Sequence, residues 1–324
     1  MPNRLTHPFT KRYFQHTLTL HMSKNNLTAE PLNALPLAKQ LQRRPDSNKA
    51  DSGKVLCIGG ATGMAGALLL SAKSALHSGA GYTMLCMLDS HSAHALARQP
   101  ELMIESAQVN NLADEPIAHL QRLQPNVIAI GPGLGSSLLA KAWLGAVLRD
   151  YAVLSSLSAI VLDADALNLI AADDALGTAL QNCTLPCILT PHPGEAARLL
   201  HSSSAEIQAD RIGSLRALVA WSKQIVILKG HHTLLGSPIQ ATHVCNRGNP
   251  GLAVGGTGDV LTGLIASLAA QGMDKKLTPW EAACLGVEVH ALAADRLRDK
   301  LGGPIGMTPS ELILEIRQVL NDLL

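Results

Sequence analysis

One carboxylate stands among six glycines in the stretch 248-GNPGLAVGGTGDVLTG-263. The apolar pattern that follows predicts an α-helix beginning near Asp259, and the glycines allow backbone N–H groups to converge before it. The first turn of a helix offers unpaired N–H donors and a partial positive charge, which suits a phosphate or an anionic transition state. We therefore predict an anion hole at Gly256, Thr257 and Gly258, in which Thr257 adds a hydroxyl donor.

Asp259 has two interpretations at this position. It is either a helix N-cap that is favourable with the helix dipole, or a base that takes a proton from a hydroxyl group as that group attacks phosphorus. A Walker A loop would have Gly-Lys-Ser/Thr after its last glycine, whereas Gly-Asp-Val stands here, which excludes nucleotide hydrolases of that type. Phosphoryl transfer needs mainly positioning and charge stabilisation, and this turn supplies both.

Two further segments carry polar side chains at predicted strand ends. In 190-TPHPGEAARLL-200 two prolines restrict His192, which is either structural or a donor to a phosphate or a ring carbonyl. In 228-LKGHHT-233 a strand delivers Lys229 to a loop that is either a solvated turn or a wrap around an adenylate. Because His231 and His232 are adjacent, their side chains cannot share one face of a strand, which argues against a common zinc ion.

A first glycine cluster, 59-GGATGMAG-66, lies at a predicted strand-to-helix turn. Its glycines are spaced by three, and Asp89 ends the next strand where an acid that binds a ribose would sit. Three interpretations remain: a nicotinamide oxidoreductase, close packing of a helix on a strand, and a substrate pocket. No hydride-transfer constellation such as Tyr-x-x-x-Lys follows the cluster.

These residues must be positioned by alternating strands and helices, which predict one α/β domain with a mainly parallel sheet covered on both faces. In such sheets, ligands bind at the carboxyl ends of the strands. The predicted strands lie within 54–60, 82–89, 127–135, 159–168, 187–195 and 225–230, with an edge hairpin near 233–244. The predicted helices are 64–81, 205–222, 259–271, 279–299 and 308–323. The residues that follow apolar strands are Gly60, Gly131, Gly133, Asp163, Asp165, Asn168, His192, Glu195 and Lys229.

Composition narrows the classes of partner. The chain has 324 residues and a formal net charge of +1, which gives no global field to attract nucleic acid or an anionic membrane. The six cysteines are predicted to be buried thiols, and no apolar run is long enough to span a membrane. We expect a cytoplasmic protein that binds small molecules and its own copies. Residues 1–45 are predicted to be a mobile leader in which Met22 is a possible start, and 46–324 to be the domain.

Several motifs, taken together, resemble a known family. The turn 255-GGTGDVLTG-263 resembles the anion-hole signature of ribokinase-like enzymes, in which the aspartate is the catalytic base. The full set resembles the ADP-dependent NAD(P)H-hydrate dehydratases from about residue 40 to the C-terminus. The other motifs, which follow the same order as in that family, are 131-GPGLG-135, 163-DADALN-168, 190-TPHPGE-195, 229-KGHHT-233 and 248-GNPG-251.

The resemblance implies a ribokinase-like fold and a reaction. ADP would phosphorylate the hydroxyl group of the (6S) hydrate of NADH or NADPH, and loss of phosphate would restore the nicotinamide and leave AMP. Asp259 would be the base, and Mg²⁺ would offset the nucleotide charge. The residues implied to contact the hydrate are Ala67, Gly133, His192 and Asp259. Those implied to hold ADP are Lys229, Gly230, His231, His232, Thr233 and Gly258, and Asn168, Glu195 and Asn249 would support the cleft.

Two alternatives stay open at this point. A ribokinase-like kinase of a small alcohol, such as a vitamin precursor, shares the GGTGD turn, and a non-catalytic adenylate-binding module would keep the fold without the chemistry. Some family members are fused to an epimerase that interconverts the two hydrate epimers. This chain is too short for that domain, so epimerisation is expected either from a separate epimerase in the same pathway or as a spontaneous reaction. Self-association, with a tetramer as one candidate, is expected from its Ala/Leu helix surfaces.

Overall fold

A mainly parallel ten-stranded sheet forms the centre of the molecule, in a computed structural model that describes residues 28–89, 99–275 and 277–324. Across these ranges the strand order is β1-β10-β9-β8-β7-β6-β5-β2-β3-β4, and only the β8–β9 and β9–β10 pairs are antiparallel. In chain order the strands are β1 (Glu30–Pro31), β2 (Lys54–Gly59), β3 (Tyr82–Met87), β4 (Met103–Ser106), β5 (Val127–Ile130), β6 (Ala159–Leu162), β7 (Cys187–Leu189), β8 (Ile225–Leu228), β9 (Thr233–Gly236) and β10 (His243–Cys245).

Helices cover both faces of this sheet, as the alternating pattern predicts. One face packs against α1, α9, α10 and α11, and the other against α2 to α6 and α8, with the fully buried Trp143 on the second side. The helices are α1 (Ala65–His77), α2 (Glu115–Leu123), α3 (Leu138–Arg149), α4 (Asp165–Ala172), α5 (Asp174–Asn182), α6 (Pro193–Leu199), α7 (Ser204–Ala209), α8 (Arg211–Ser222), α9 (Thr257–Lys275), α10 (Pro279–Leu301) and α11 (Pro309–Leu323).

Three neighbouring strands deliver polar residues to one edge of the sheet. β6, β7 and β8 run parallel to each other, and Asp163, Thr190 and Lys229 directly follow them. The strands themselves are fully buried and almost wholly apolar, which is typical of a parallel sheet covered on both sides. The predicted position of Asp163 and Lys229 at the carboxyl ends of parallel strands is therefore confirmed for this part of the sheet.

The prediction that residues 1–45 form a mobile leader is wrong for the part that the structure describes. β1 pairs with β10 beyond the predicted hairpin, and a 3-10 helix, Leu35–Leu41, buries Ala38 and Leu41 in the core. The domain therefore includes residues from about Glu30 onward. Polar composition hid this segment because few of its side chains are buried, while its backbone is held by the sheet and by α10. Residues 1–27, including Met22, lie outside the described residues.

Smaller differences concern short or irregular elements. β4 was not predicted, because its sequence Met-Ile-Glu-Ser is short and only partly buried. The helix that follows the glycine turn begins at Thr257, two residues before the predicted start.

All six cysteines are buried free thiols, as predicted. Among the helices in the described ranges, none combines the length and apolarity that a membrane span requires.

Glu288 holds the N-terminal segment in place, which gives a test of its packing. Its buried carboxylate accepts hydrogen bonds from the Ala34 N–H at 2.5 Å and the Leu35 N–H at 3.2 Å. Glu288→Ala should lower the free energy of unfolding by about 2–3 kcal/mol, because these N–H groups lose their acceptor. Denaturant unfolding measures the change. Asp299→Ala on the exposed part of the same helix is the control, and equal losses in the two variants would contradict the packing described.

Candidate active site

The glycine turn before α9 leaves backbone donors unpaired. The N–H groups of Gly256, Gly258 and Asp259 find no hydrogen-bond acceptor within the described part of the chain. They belong to the turn and the first residues of a 19-residue helix, where the dipole adds partial positive charge. Gly256 has φ +101°, and a Cβ there would approach Leu70 Cδ1 to 2.7 Å, so glycine is required for this turn. The geometry provides the donors of an anion hole.

Thr257 contributes to this turn differently from the prediction. Its hydroxyl group donates to carbonyl oxygens of the preceding loop, Leu252 at 2.8 Å and Val254 at 3.0 Å. The hydroxyl proton is therefore used inside the protein, and the prediction that it adds a donor for an anion is wrong for this structure. The backbone carbonyl of Thr257 lies 3.0 Å from Nε2 of His290. Burial lowers the pKa of His290 to about 4, so its ring is neutral. The ring donates a hydrogen bond to that carbonyl and holds the turn in place.

A lysine reaches the turn from the end of β8. Lys229 Nζ lies 2.8 Å from Asp163 Oδ1, and Thr262 Oγ1 donates to Asp163 Oδ2 at 2.7 Å. Burial alone would raise the pKa of Asp163, but the Lys229 ammonium and the Thr262 hydroxyl outweigh it and hold that pKa below its usual value. Burial likewise disfavours charge on Lys229, while Asp163 and Glu195 raise its pKa. The pair therefore stays ionised.

Lys229 and the glycine turn form one site. A Cβ placed on Gly258 would lie 3.2 Å from Lys229 Nζ and 3.8 Å from Asp163 Oδ2. Glycine at this position lets the ammonium group approach the start of α9 closely. The lysine that a Walker loop would carry in its own sequence thus comes from another strand, and it adds a positive charge beside the unpaired N–H donors.

Asp259 is the third residue of α9, so the N-cap interpretation does not apply to it. Burial raises the pKa of its carboxyl group to about 7, and the negative charges of Asp163, Asp165 and Glu195 add to that effect, while Lys229 opposes it. A carboxyl group with a pKa near 7 exchanges a proton readily at neutral pH, which is what a general base requires.

His192 and Glu195 lock each other at the start of α6. The N–H groups of Gly194 and Glu195 donate to His192 Nδ1 at 2.9 and 3.4 Å, while the His192 N–H donates to Glu195 Oε2 at 2.8 Å. Burial, Lys229 and Arg198 lower the pKa of His192, so the ring is neutral. Since Nδ1 acts as acceptor, the ring proton resides on Nε2, 3.3 Å from Glu195 Oε1. His192 is therefore a hydrogen-bond donor at this half-exposed position.

Glu195 is the second carboxyl group with a shifted pKa. Burial raises the pKa to about 7, the nearby charge of Asp163 adds to this, and Lys229, 4.0 Å away, lowers it. The sheet edge and the helix starts thus bring Asp163, Glu195 and Asp259 around one ammonium group.

The predicted nucleotide loop after β8 is an exposed turn. Gly230, His231 and His232 are exposed, and Thr233 Oγ1 donates to the Gly230 carbonyl at 3.1 Å. His232 has φ +57°, and its ring contacts that of His231 edge-on, with centroids 3.8 Å apart. The two rings meet because the segment turns at His232 instead of continuing as a strand. Within the described residues no three His, Cys, Asp or Glu side chains form a metal cluster.

The other predicted residues make contacts of their own outside the Asp163–Lys229 pair. Gly133 has φ +61° and is buried, with its carbonyl accepting from the Ala61 N–H at 2.6 Å, and Ala67 lies half-buried in the first turn of α1. Asn168 accepts from Arg198 at 2.8 Å. Asn249 instead donates to Asp295 Oδ1 at 3.1 Å, so its recorded contacts support the 248–251 loop.

Sequence reasoning left two residues of this network unassigned. Asp163 was noticed as the residue after a strand but received no role, although a carboxylate directly after a buried strand is a recognisable signal. Thr262 carries a weaker signal: it follows Asp259 by three positions, so both side chains share one face of α9.

Comparison with known proteins places the chain in a family. The sequence profile described as NAD(P)H-hydrate dehydratase matches residues 55–318. The chain belongs to the NAD(P)H-hydrate dehydratase family. The ADP-dependent (S)-NAD(P)H-hydrate dehydratase of Neisseria meningitidis serogroup B is 37% identical over 280 residues, which cover 86% of this chain and 88% of that protein. The family resemblance predicted from the motifs is confirmed.

Longer relatives and solved structures agree with that membership. The bifunctional NAD(P)H-hydrate repair enzyme Nnr of Escherichia coli is 36% identical over 86% of this chain, and the match spans 50% of that enzyme. A ribokinase-like superfamily protein of Enterococcus faecalis superposes with a TM-score of 0.76 at 26% identity, covering 94% of this chain and 99% of the other. The ADP/ATP-dependent NAD(P)H-hydrate dehydratase of Bacillus subtilis, co-crystallised with ATP and Mg²⁺, has a TM-score of 0.74 at 24% identity and shares the fold, covering 92% and 100%.

The Asp163–Lys229 ion pair can be tested by a double-mutant cycle. Lys229→Met should destabilise the protein by about 3 kcal/mol, because it leaves a buried carboxylate without its partner. Asp163→Asn added to Lys229→Met should recover at least about 1 kcal/mol, since the asparagine still accepts from Thr262 and carries no charge. Urea unfolding of the two single variants and the double variant gives the coupling energy, and additive losses would contradict the ion pair.

Proposed function

We propose that this protein catalyses the ADP-dependent dehydration of the (6S) hydrates of NADH and NADPH, with release of AMP and phosphate. The proposal rests on one observation above all: a carboxyl group with a pKa near 7 lies beside unpaired helix N–H donors and a partly buried lysine. The names of the meningococcal and Bacillus relatives support the same reaction.

The first step is phosphoryl transfer to the hydroxyl group of the hydrated ring. Asp259 accepts the hydroxyl proton as the oxygen bonds to the β-phosphorus of ADP, and the bond from that phosphorus to the bridging oxygen breaks and releases AMP. The developing negative charge on the phosphoryl oxygens meets the N–H groups of Gly256 and Gly258 and the Lys229 ammonium. Asp259 and the anion hole act together in this step.

The second step eliminates phosphate from the ring. The C–O bond to phosphate breaks, the neighbouring ring carbon loses a proton, and the new double bond restores the dihydronicotinamide. Hydroxide is a poor leaving group and phosphate a good one, so phosphorylation removes the main barrier. The enzyme's task is therefore kinase chemistry, although the overall reaction is the loss of water.

The binding roles extend this proposal to the rest of the cleft. His192 would donate its Nε2 proton to the hydrated dinucleotide, with Ala67 and Gly133 forming part of the same pocket. The exposed turn from Lys229 to Thr233, with Gly258, would hold the adenylate, and Asn168 and Glu195 would support the cleft. Asn249 would act indirectly through the loop that precedes the glycine turn.

Mg²⁺ would arrive with the nucleotide. Because no metal cluster of three protein ligands is found among the described residues, the phosphate oxygens of ADP would supply most ligands, as Mg²⁺ often requires. Its charge would offset that of the diphosphate.

The protein's wider setting is also part of the proposal. The chain spans about half the length of the bifunctional repair enzymes that it matches. In the proposed pathway a separate epimerase interconverts the hydrate epimers. We further propose a cytoplasmic homo-oligomer, with a tetramer as one candidate, whose domain includes the family match at residues 55–318.

The reaction gives a direct test. Purified protein incubated with ADP and NADH hydrate should restore absorbance at the wavelength of NADH, and Asp259→Asn should reduce kcat by about 10³-fold or more while ADP binding changes by only a few-fold. Recovery that does not require ADP would contradict the proposal. Phosphorylation of a small alcohol in place of hydrate repair would favour the kinase alternative, and unchanged function in Asp259→Asn would favour a binding module.

The raised pKa of Asp259 predicts a pH dependence. The base form is lost as pH falls through about 7, so kcat/KM should drop about tenfold per pH unit below that value. Glu195→Gln removes one of the negative charges that raise the pKa of Asp259. The pKa should therefore fall, and this limb of the profile should move to lower pH. Initial rates between pH 5.5 and 8.5 measure both effects, and a limb near pH 4 in the unaltered protein would contradict them.

A further inference from the structure

Arg211, the first residue of α8, has no role in the site described so far. Its guanidinium group donates to three backbone carbonyl oxygens: Leu228 at 3.1 Å, Lys229 at 3.4 Å and His232 at 3.4 Å. These carbonyls belong to the end of β8 and to the exposed turn that follows it. One side chain therefore spans the whole turn from its start to its last bend.

The shape of the turn depends on this contact. Gly230 has φ +141°, and a Cβ on it would lie 2.8 Å from Arg211 Nη1, so the guanidinium lies directly against the backbone of the turn. His232 adopts φ +57°, which is costly for a residue with a side chain, and its carbonyl is one of the three acceptors. On the other side the Lys229 N–H donates to the Pro191 carbonyl at 2.9 Å. Arg211 completes the set of hydrogen bonds that holds the turn.

The charge of Arg211 is also not neutralised locally. No carboxylate in the described ranges forms an ion pair with it, and its other recorded partner is the neutral Gln208 amide at 3.1 Å. Arg211 is half-buried, so its positive charge is less screened than that of a surface arginine. A cation held under an exposed turn without an acid favours an anionic ligand above that turn.

We infer that Arg211 is a positioning residue for the nucleoside diphosphate: it fixes the Lys229–Thr233 turn and adds an unneutralised positive charge beneath it. This inference rests on the proposed function of the turn. Arginine suits the task better than lysine, because its planar fork reaches several carbonyls at once.

Steady-state kinetics with ADP and NADH hydrate varied separately test this role. Arg211→Met should raise the KM for ADP by at least about tenfold, and calorimetry should show a matching loss of ADP affinity. The KM for the hydrate and kcat should change by less than about threefold, because Asp163 still anchors the Lys229 ammonium. Arg211→Lys keeps the charge but has a single side-chain nitrogen, so its KM for ADP should lie between those of the unaltered protein and Arg211→Met.

Controls separate this inference from the proposed function. Arg296→Met removes an arginine on α10 from its ion pair with Asp322 on α11, and it should leave kcat and both KM values unchanged. The inference fails if Arg211→Met changes the KM for ADP by less than twofold. It also fails if the variant lowers the melting temperature together with kcat and raises both KM values, because Arg211 would then have only a general structural role. If the unaltered protein neither binds ADP nor requires it, the proposed function itself fails.

Discussion

The buried ion pair between Asp163 and Lys229 is the constraint on which the site depends. A carboxylate that is 1% exposed needs a partner, since an unpaired buried charge costs several kcal/mol. Its partners come from different elements: the lysine from the end of β8 and the Thr262 hydroxyl from α9. Because both groups bind one carboxylate, they fix the position of α9 against the sheet. The glycine turn at the start of that helix is thereby held next to the lysine.

This arrangement places three carboxyl groups around one ammonium group, which affects their pKa values. Burial raises the pKa of Asp259 and of Glu195 to about 7, the charge of Asp163 adds to this effect, and Lys229 offsets it only in part. A carboxyl group with a raised pKa favours folding when protonated, and that contribution is lost as pH rises through 7. The deprotonated carboxylate therefore costs stability at neutral pH, and in the proposed reaction it is the base beside the unpaired N–H groups of the glycine turn. Function and stability oppose each other at Asp259.

Much of the fold and part of the site could be predicted from sequence, for identifiable reasons. Apolar runs ending in glycine or acid predicted the parallel strands, and the glycines before Asp259 predicted a turn with unpaired N–H groups. Interactions between elements could not be predicted in the same way. Nothing in the local sequence shows that the Thr257 hydroxyl is used by its own loop, that Asn249 binds Asp295, or that Arg211 lies beneath the turn after β8. The 30–41 segment was missed because its backbone, more than its side chains, joins the domain.

The central claim is that this site transfers a phosphoryl group to the substrate's own hydroxyl group, and the fate of that oxygen tests it most directly. NADH hydrate labelled with ¹⁸O in the hydroxyl group would be repaired with unlabelled ADP, and the released phosphate examined by ³¹P NMR for an isotope shift. The account predicts that each phosphate carries one ¹⁸O atom. Label recovered in water, with phosphate containing only unlabelled oxygen, would show that dehydration and ADP cleavage proceed without phosphoryl transfer to the substrate, and would contradict the account.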